Sequence, residues 1–169
     1  FDGEGHTITV HGAESLFGAN NGTVKALAVS VNMNNGSGYI GGIAGSNTGV
    51  IERCYTSGNI NGAGAVIGGI AGQNFGVIKD CYSIVNSTEN NSFGISGGGN
   101  GKITNCYSGG STAKSGISTG EAITTGAYTL SEANTDSNAT ALSTSQATQP
   151  DLYEEWDFGD VWAMHIILG

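Results

Sequence analysis

The stretches GGIAGSNTGVIERCY at 41–55 and GGIAGQNFGVIKDCY at 68–82 are nearly identical and lie 27 positions apart. A further copy, SLFGANNGTVKALA at 15–28, precedes them at the same offset. Another copy, GISGGGNGKITNCY at 94–107, follows after a shorter step of 25 residues. Self-similarity at such a period is typical of stacked repeat proteins, in which each copy buries its apolar side only against its neighbours.

Apolar residues of the four copies fall into three columns, each occupied once per copy. The columns are Leu16, Ile43, Ile70 and Ile95; Val24, Ile51, Ile78 and Ile103; and Leu27, Cys54, Cys81 and Cys106. Two glycine columns run beside them, consisting of Gly18, Gly45, Gly72 and Gly97, and of Gly22, Gly49, Gly76 and Gly101. A glycine required at one turn position in every copy predicts a positive φ there, which other residues resist.

Polar positions of the repeat differ from copy to copy in a pattern that indicates strand register. One column, containing Lys25, Glu52 and Lys79, alternates in charge. If each coil lies on the previous one with parallel strands ~4.8 Å apart, Glu52 lies between the two lysines. The next column then places Arg53 beside Asp80. Opposite charges there contribute only a few tenths of a kcal/mol, roughly, but they support in-register stacking.

These patterns predict an all-β protein with a right-handed parallel β-solenoid of about four coils, since parallel crossovers are strongly right-handed. The opening strand GHTITV precedes the coils, so the solenoid covers residues 1–116. Its repeats are 15–40, 41–67, 68–93 and 94–116. Residues 117–169 form an irregular Ser/Thr-rich segment that leads into an acidic, aromatic C-terminal cap.

The C-terminal segment contains both tryptophans, in WDFGDVW at 156–162. We interpret Trp156, Phe158 and Trp162 as a cap over the open end of the solenoid, because an uncovered coil offers its edge to aggregation. An exposed aromatic platform is the alternative interpretation. Residues 141–155 are compatible with a short helix.

Charge excludes one class of partner. The chain has a net charge of −9, and residues 121–169 contain eight acidic residues and no basic ones. Because phosphate binding requires clustered Lys and Arg, we expect no nucleic-acid partner. The sequence contains no run of 18 apolar residues, so we expect no membrane insertion. The chain begins with Phe and shows no signal peptide, so we expect it to be a processed or excised fragment.

Motifs of catalysis are sparse. The sequence contains neither His-Glu-x-x-His nor Gly-x-Ser-x-Gly, and its histidines are His6, His11 and His165. The cysteines are 27 and 25 residues apart, which is unlike zinc ligation and favours small hydrophobic residues in an inward ladder. A disulfide between stacked coils is the alternative. We expect no enzyme and no cofactor, although a glycan-active β-helix lyase or hydrolase, which needs clustered carboxylates, stays open.

Calcium is the one metal that the composition suggests. Carboxylates crowd residues 151–160, where Asp151, Glu154, Asp157 and Asp160 offer hard oxygen ligands. A solvated acidic face beside the cap is the other interpretation, since no spaced Asp-x-Asp loop occurs.

Three tyrosines are the candidate binding residues. Tyr55, Tyr82 and Tyr107 each follow an inward cysteine, so strand alternation directs them outward. Aromatic ladders on solenoids bind sugars or protein partners by stacking. A structural ladder that stiffens the stack is the alternative, and Ala28 ends it at the first coil.

The repeats resemble GLUG repeats, whose core reads roughly Gly-Gly-apolar-(Ala/Val)-Gly, then Asn-x-Gly, then apolar-x-x-Cys-Tyr. The second and third copies match well, the fourth matches in its second half, and the first has Leu27-Ala28 in place of Cys-Tyr. FDGEGHTI at the start and WDFGDVW near the end are similar to segments that flank such repeats. GLUG repeats occur in secreted and surface-attached bacterial proteins, including adhesin-like proteins and immunoglobulin-A-cleaving metallopeptidases.

The resemblance implies an extracellular or cell-surface bacterial module. We therefore predict a non-enzymatic repeat module that acts as an adhesin segment or rigid spacer, with a host protein or glycan as partner and end-to-end self-association as a further option. The alternatives are the glycan-active enzyme and an accessory segment of a secreted IgA-type metallopeptidase whose catalytic domain lies elsewhere.

Overall fold

A computed structural model describes residues 1–112, 116–118, 122–130, 139–143 and 145–146. These residues contain sixteen strands and no helix. The strands are β1 (Thr7–Gly12), β2 (Phe17–Asn20), β3 (Thr23–Lys25), β4 (Ala28–Met33), β5 (Tyr39–Gly41), β6 (Ala44–Asn47), β7 (Val50–Glu52), β8 (Tyr55–Ile60), β9 (Val66–Gly68), β10 (Ala71–Asn74), β11 (Val77–Asn86), β12 (Ser92–Phe93), β13 (Lys102–Ser108), β14 (Ile123–Thr125), β15 (Tyr128–Leu130) and β16 (Thr140–Leu142).

The strands form three parallel sheets, one for each side of a coil. The first side is β10-β6-β2, the third is β12-β9-β5, and the second is a ten-stranded sheet with the main order β1-β4-β8-β11-β13-β15-β16. Successive strands of each sheet come from successive coils and run in the same direction. The prediction of an all-β parallel β-solenoid is therefore confirmed.

Complete coils number about three, against about four predicted. The coils that start with β2, β6 and β10 have strands on all three sides. The fourth repeat, 94–116, contributes β13, but its first side is reduced to the isolated bridge between Ala71 and Ser96. Three consecutive glycines follow Ser96, and glycine weakens strands because it loses more backbone entropy and offers no side chain to pack.

The stacking register is the one that the repeat alignment predicts. Ile78 pairs with Ile51 on one side and Ile103 on the other, and Cys81 pairs with Cys106. All members of the second and third apolar columns are buried; in the first column only Leu16 remains partly exposed. The opening strand β1 also pairs in register with β4, from Thr7–Ala28 to Gly12–Met33. One apolar core therefore runs through the stack.

The glycine columns have a different cause from the predicted one. Positive φ occurs at other glycines, including Gly58 and Gly99, and not in either column. A Cβ on Gly45 would instead lie 2.8 Å from the carbonyl oxygen of Gly18 in the coil below, and one on Gly101 would lie 2.5 Å from that of Gly76. The columns are glycine because consecutive coils approach too closely for a side chain. Gly18 and Gly22 meet no atom in this way, since neither has an equivalent residue in a preceding coil.

Positive φ occurs instead at one corner of each of these four coils, and the residue at that corner is not glycine. The corner residues have φ near 50°: Ala26 at 49°, Arg53 at 51°, Asp80 at 52° and Asn105 at 50°. Each corner lies between an outward side chain and the inward residue of the third apolar column. The left-handed residue bends the chain so that both neighbouring segments remain in the long sheet.

The predicted charge contacts are partly present. Glu52 lies in register between Lys25 and Lys79, as expected, and its carboxylate is 2.8 Å from Lys79 Nζ. The predicted contact between Arg53 and Asp80 is wrong. The Arg53 guanidinium is 3.6 Å from Glu52, whereas Asp80 accepts a hydrogen bond of 3.1 Å from Asn105 Nδ2. Asn105 occupies the equivalent corner of the next coil, so Asp80 pairs across the coils with Asn105 and not with Arg53.

The long sheet continues beyond residue 116. Within the segment 117–169 that we predicted to be irregular, β14 and β15 pair with β13, and β16 pairs with β15. Residues 140–142 thus form a strand and not the start of a helix over 141–155. The cap residues Trp156, Phe158 and Trp162 lie outside the described residues.

Candidate functional site

The predicted tyrosines lie in one column on the outer face of the long sheet. Tyr55 pairs with Tyr82, and Tyr82 pairs with Tyr107. The structure adds a fourth member, because Tyr107 also pairs with Tyr128, which is itself buried. Ala28 occupies the same column in the first coil, as the sequence predicts. We call this set of four residues, 55, 82, 107 and 128, the tyrosine column.

Two of these rings stack face to face. The ring centroids of Tyr55 and Tyr82 are 4.8 Å apart and their planes differ by 1°. Burial raises the pKa of Tyr82, with a smaller contribution from Tyr55, and burial alone raises the pKa of Tyr107. Each stacked ring covers one face of its neighbour, so the pair presents edges and hydroxyl groups to a partner more than open faces.

The ring of Tyr107 lies differently. A Cβ built on Gly109 would be 2.8 Å from Cε1 of Tyr107 and 2.9 Å from its hydroxyl oxygen. The ring therefore extends along its own strand and covers the position two residues further on. Only glycine at that position permits this arrangement.

A buried asparagine ladder supports the stack on another side, where sequence reasoning assigned no role. Asn20 Nδ2 donates to Asn47 Oδ1 at 2.8 Å, and Asn47 Nδ2 donates to Asn74 Oδ1 at 2.8 Å. Asn74 Nδ2 continues the chain to the Lys102 carbonyl at 3.2 Å. Asn47 is fully buried. In-register amide ladders of this kind bond each layer to the next and oppose sliding between them.

The cysteines behave as the inward ladder that the spacing predicts. Cys54, Cys81 and Cys106 are free and buried. Each thiol donates to the carbonyl two residues earlier, at 3.2, 3.1 and 3.2 Å respectively. The pKa of Cys54 is raised by its contact with Cys81 and by burial, and burial raises the pKa of Cys81. The inter-coil disulfide is not formed, and the raised pKa values deprive Cys54 and Cys81 of the thiolate character that reactive cysteines need.

Neither a metal-binding cluster nor a membrane-spanning helix occurs in the described residues. Among the described residues, no group of three or more His, Cys, Asp and Glu side chains is arranged to hold a metal ion. The weak calcium candidates Asp151, Glu154, Asp157 and Asp160 lie outside those residues. No helix in the described ranges is long and apolar enough to cross a membrane.

Comparison with known proteins gives no relative: no family model, curated protein or solved structure matches the chain. The resemblance to GLUG repeats thus stays a prediction from the quoted motifs. The tyrosine column on the long sheet is the candidate site that the geometry brings together.

Proposed function

We propose that the chain is a non-enzymatic repeat module of a bacterial cell-surface or secreted protein, in which it acts as a rigid spacer or adhesin segment. The buried asparagine ladder carries this proposal. It joins three successive coils through side chains, in addition to the backbone hydrogen bonds of the sheets. A module bonded in this way holds its ends at a fixed separation and keeps its outer face flat. The location outside the cell is proposed from the resemblance to GLUG repeats alone.

Rigidity is measurable as a distance distribution. His11 and Ser111 are both exposed. They lie near the C-terminal ends of the strands of the long sheet, four coil steps apart. Cysteines substituted at these two positions carry spin labels, while the native thiols are buried. We expect one narrow distribution around ~19 Å plus the label arms, from four steps of the strand spacing. A broad or bimodal distribution would contradict a rigid module.

Absence of catalysis is tested separately. The full chain is incubated with neutral and acidic polysaccharides, with and without calcium, and new reducing ends and unsaturated products are measured. We expect neither product to exceed the level with heat-unfolded protein. Turnover of any polysaccharide would replace the proposal by a glycan-active enzyme.

A further inference from the structure

The tyrosine column borders a band of the outer face of the long sheet, which we call the trough. Two more rows of outward-facing residues lie on the same face, two and four residues after the tyrosine position of each coil, and they keep the same register. The middle row forms the floor and consists of Ser30, Ser57, Ile84 and Gly109. The far row consists of the asparagines Asn32, Asn59 and Asn86. The tyrosine and asparagine rows are four residues apart along each strand, which sets a width of ~13 Å.

The asparagines of the far row differ from those of the buried ladder. All three are exposed, and they lie in register at the strand spacing but are not hydrogen-bonded to one another. The side-chain oxygen Oδ1 of Asn86 accepts from the Ser111 backbone amide at 3.0 Å, and Oδ1 of Asn32 accepts from Asn34 Nδ2 at 3.4 Å. Within the described part of the chain, the Asn59 side chain makes no hydrogen bond. The row therefore offers a regular series of amide donors to a partner.

The floor of the trough has an apolar section. Ile84 is 45% exposed, so its aliphatic side chain contributes apolar surface to the floor. The ring of Tyr107 lies across Gly109, one coil further along the same floor. Ring and aliphatic surface beside hydroxyl and amide groups suit a ligand that alternates C–H faces with hydroxyl edges.

The trough is electrically neutral in an acidic chain. Segments 28–33, 55–60, 82–86 and 107–111 contain no Asp, Glu, Lys or Arg, although the chain has a net charge of −9. A polyanion would find no cation here. A band ~13 Å wide over four coils of ~4.8 Å covers ~250 Å², well below the about 800 Å² on each side that a stable protein interface needs.

The distance between successive coils further limits the class of ligand. Two coil steps span ~9.6 Å along the stack. This is close to the disaccharide repeat of an extended β-1,4-linked polysaccharide, so over the few coils of the trough every second coil would meet an equivalently oriented sugar. We propose that the trough binds a neutral β-1,4-linked glycan chain lying parallel to the stack axis. This inference rests on the proposed function, because it specifies the partner of an adhesin segment.

Affinity electrophoresis of the full chain tests the inference. Native gels contain hydroxyethylcellulose or glucomannan, which are neutral and β-1,4-linked, or pullulan, which is neutral and α-linked, or polygalacturonate, which is acidic. We expect retardation by the first two polymers only. Ile84→Glu and Asn59→Ala lie at exposed positions and should weaken retardation at least tenfold and several-fold, respectively. Phe75→Ala, at an exposed loop position outside the trough, is the matched control and should bind as the unsubstituted chain does.

Several outcomes would overturn the inference. They are no retardation by either β-1,4-linked polymer, equal retardation by pullulan, or unchanged retardation of Ile84→Glu. Sedimentation analysis that shows self-association lost in Ile84→Glu would assign the trough to a second copy of the chain. A narrow spin-label distribution together with no glycan retardation would leave the rigid spacer standing and remove the glycan. A broad distribution would remove the rigid module itself.

Discussion

Substitution of Asn47 by Ala should be among the most damaging single changes in the stack. Two hydrogen bonds of 2.8 Å, to Asn20 and Asn74, are lost, at about 1 kcal/mol each. Asn74 Oδ1 then has no donor in a site where Asn74 is only 1% exposed, which costs about 1–3 kcal/mol more. The expected loss is therefore about 3–5 kcal/mol in the free energy of unfolding.

The ladder also has a direction, which supplies the controls. Amides donate from Asn20 towards Lys102, so Asn74→Ala leaves Asn47 Nδ2 with the carbonyls of Gly49 and Val77 as acceptors. We expect that change to cost about 2 kcal/mol, since it deprives no side-chain oxygen of its donor. Ser46→Ala, at a half-buried position beside Asn47, should stay within about 0.5 kcal/mol.

Urea unfolding followed by far-UV circular dichroism measures these differences, provided that the slope with denaturant is unchanged. A loss of less than about 1 kcal/mol for Asn47→Ala, or a loss no greater than that for Asn74→Ala, would contradict the stabilising role of the ladder.

Three further predictions concern the corners, the thiols and the tyrosines. Ala26→Gly should raise the urea midpoint, because Ala26 has φ of 49° and a left-handed residue other than glycine costs about 1–2 kcal/mol; Ala19→Gly, in β2, should lower it. The three thiols should not react with a chromogenic disulfide reagent in the folded chain and all should react in urea, whereas reaction under native conditions would contradict their burial. Because the pKa of Tyr82 is raised by burial, its contribution to stability is present below pH ~10 and is lost as pH rises towards the folded-state value. Tyr82→Phe should thus lessen the loss of stability above pH 10 in thermal melts, and an unchanged loss would show that Tyr82 does not cause it.

Register was predictable because each coil repeats the same apolar columns. A one-residue slip would move Ile51, Ile78 and Ile103 from the core to the surface, so the alignment of the sequence with itself also aligns the strands in space. The outward tyrosines followed from the inward cysteines by simple alternation. Neither inference required knowledge of the loops.

Corner geometry was not predictable in the same way. Ala26, Arg53, Asp80 and Asn105 share a φ near 50° but no side-chain chemistry, and only Asn and Asp tolerate that region readily. The glycine columns suggested a positive φ because glycine is favoured both where φ is positive and where two backbones approach closely. Distances between coils, which decide between the two, are absent from a sequence.

Tyr128 was missed because the repeat shortens. The step from Tyr107 to Tyr128 is 21 residues, and the Gly-Gly motif is missing before it. A signal was nevertheless present, since GAYT at 126–129 copies the pattern of NCYS at 105–108, with Gly126 at the left-handed corner. An alignment of the repeats on the corner residue and the following tyrosine, and not on the glycine columns, would have identified this coil.

Disulfide trapping of engineered pairs tests the parallel, in-register stack most directly. Ser30 pairs with Ser57, and Asn32 pairs with Asn59. Cysteines at either pair would have Cα atoms ~4.8 Å apart, within the range for a disulfide, whereas the crossed pairs 30 with 59 and 32 with 57 would be ~8 Å apart and beyond it. With the native cysteines replaced by Ala, we predict rapid oxidation of the two matched pairs and none of the crossed pairs on non-reducing gels. Oxidation of the crossed pairs but not the matched ones would mean that β4 and β8 run antiparallel, and would contradict the solenoid.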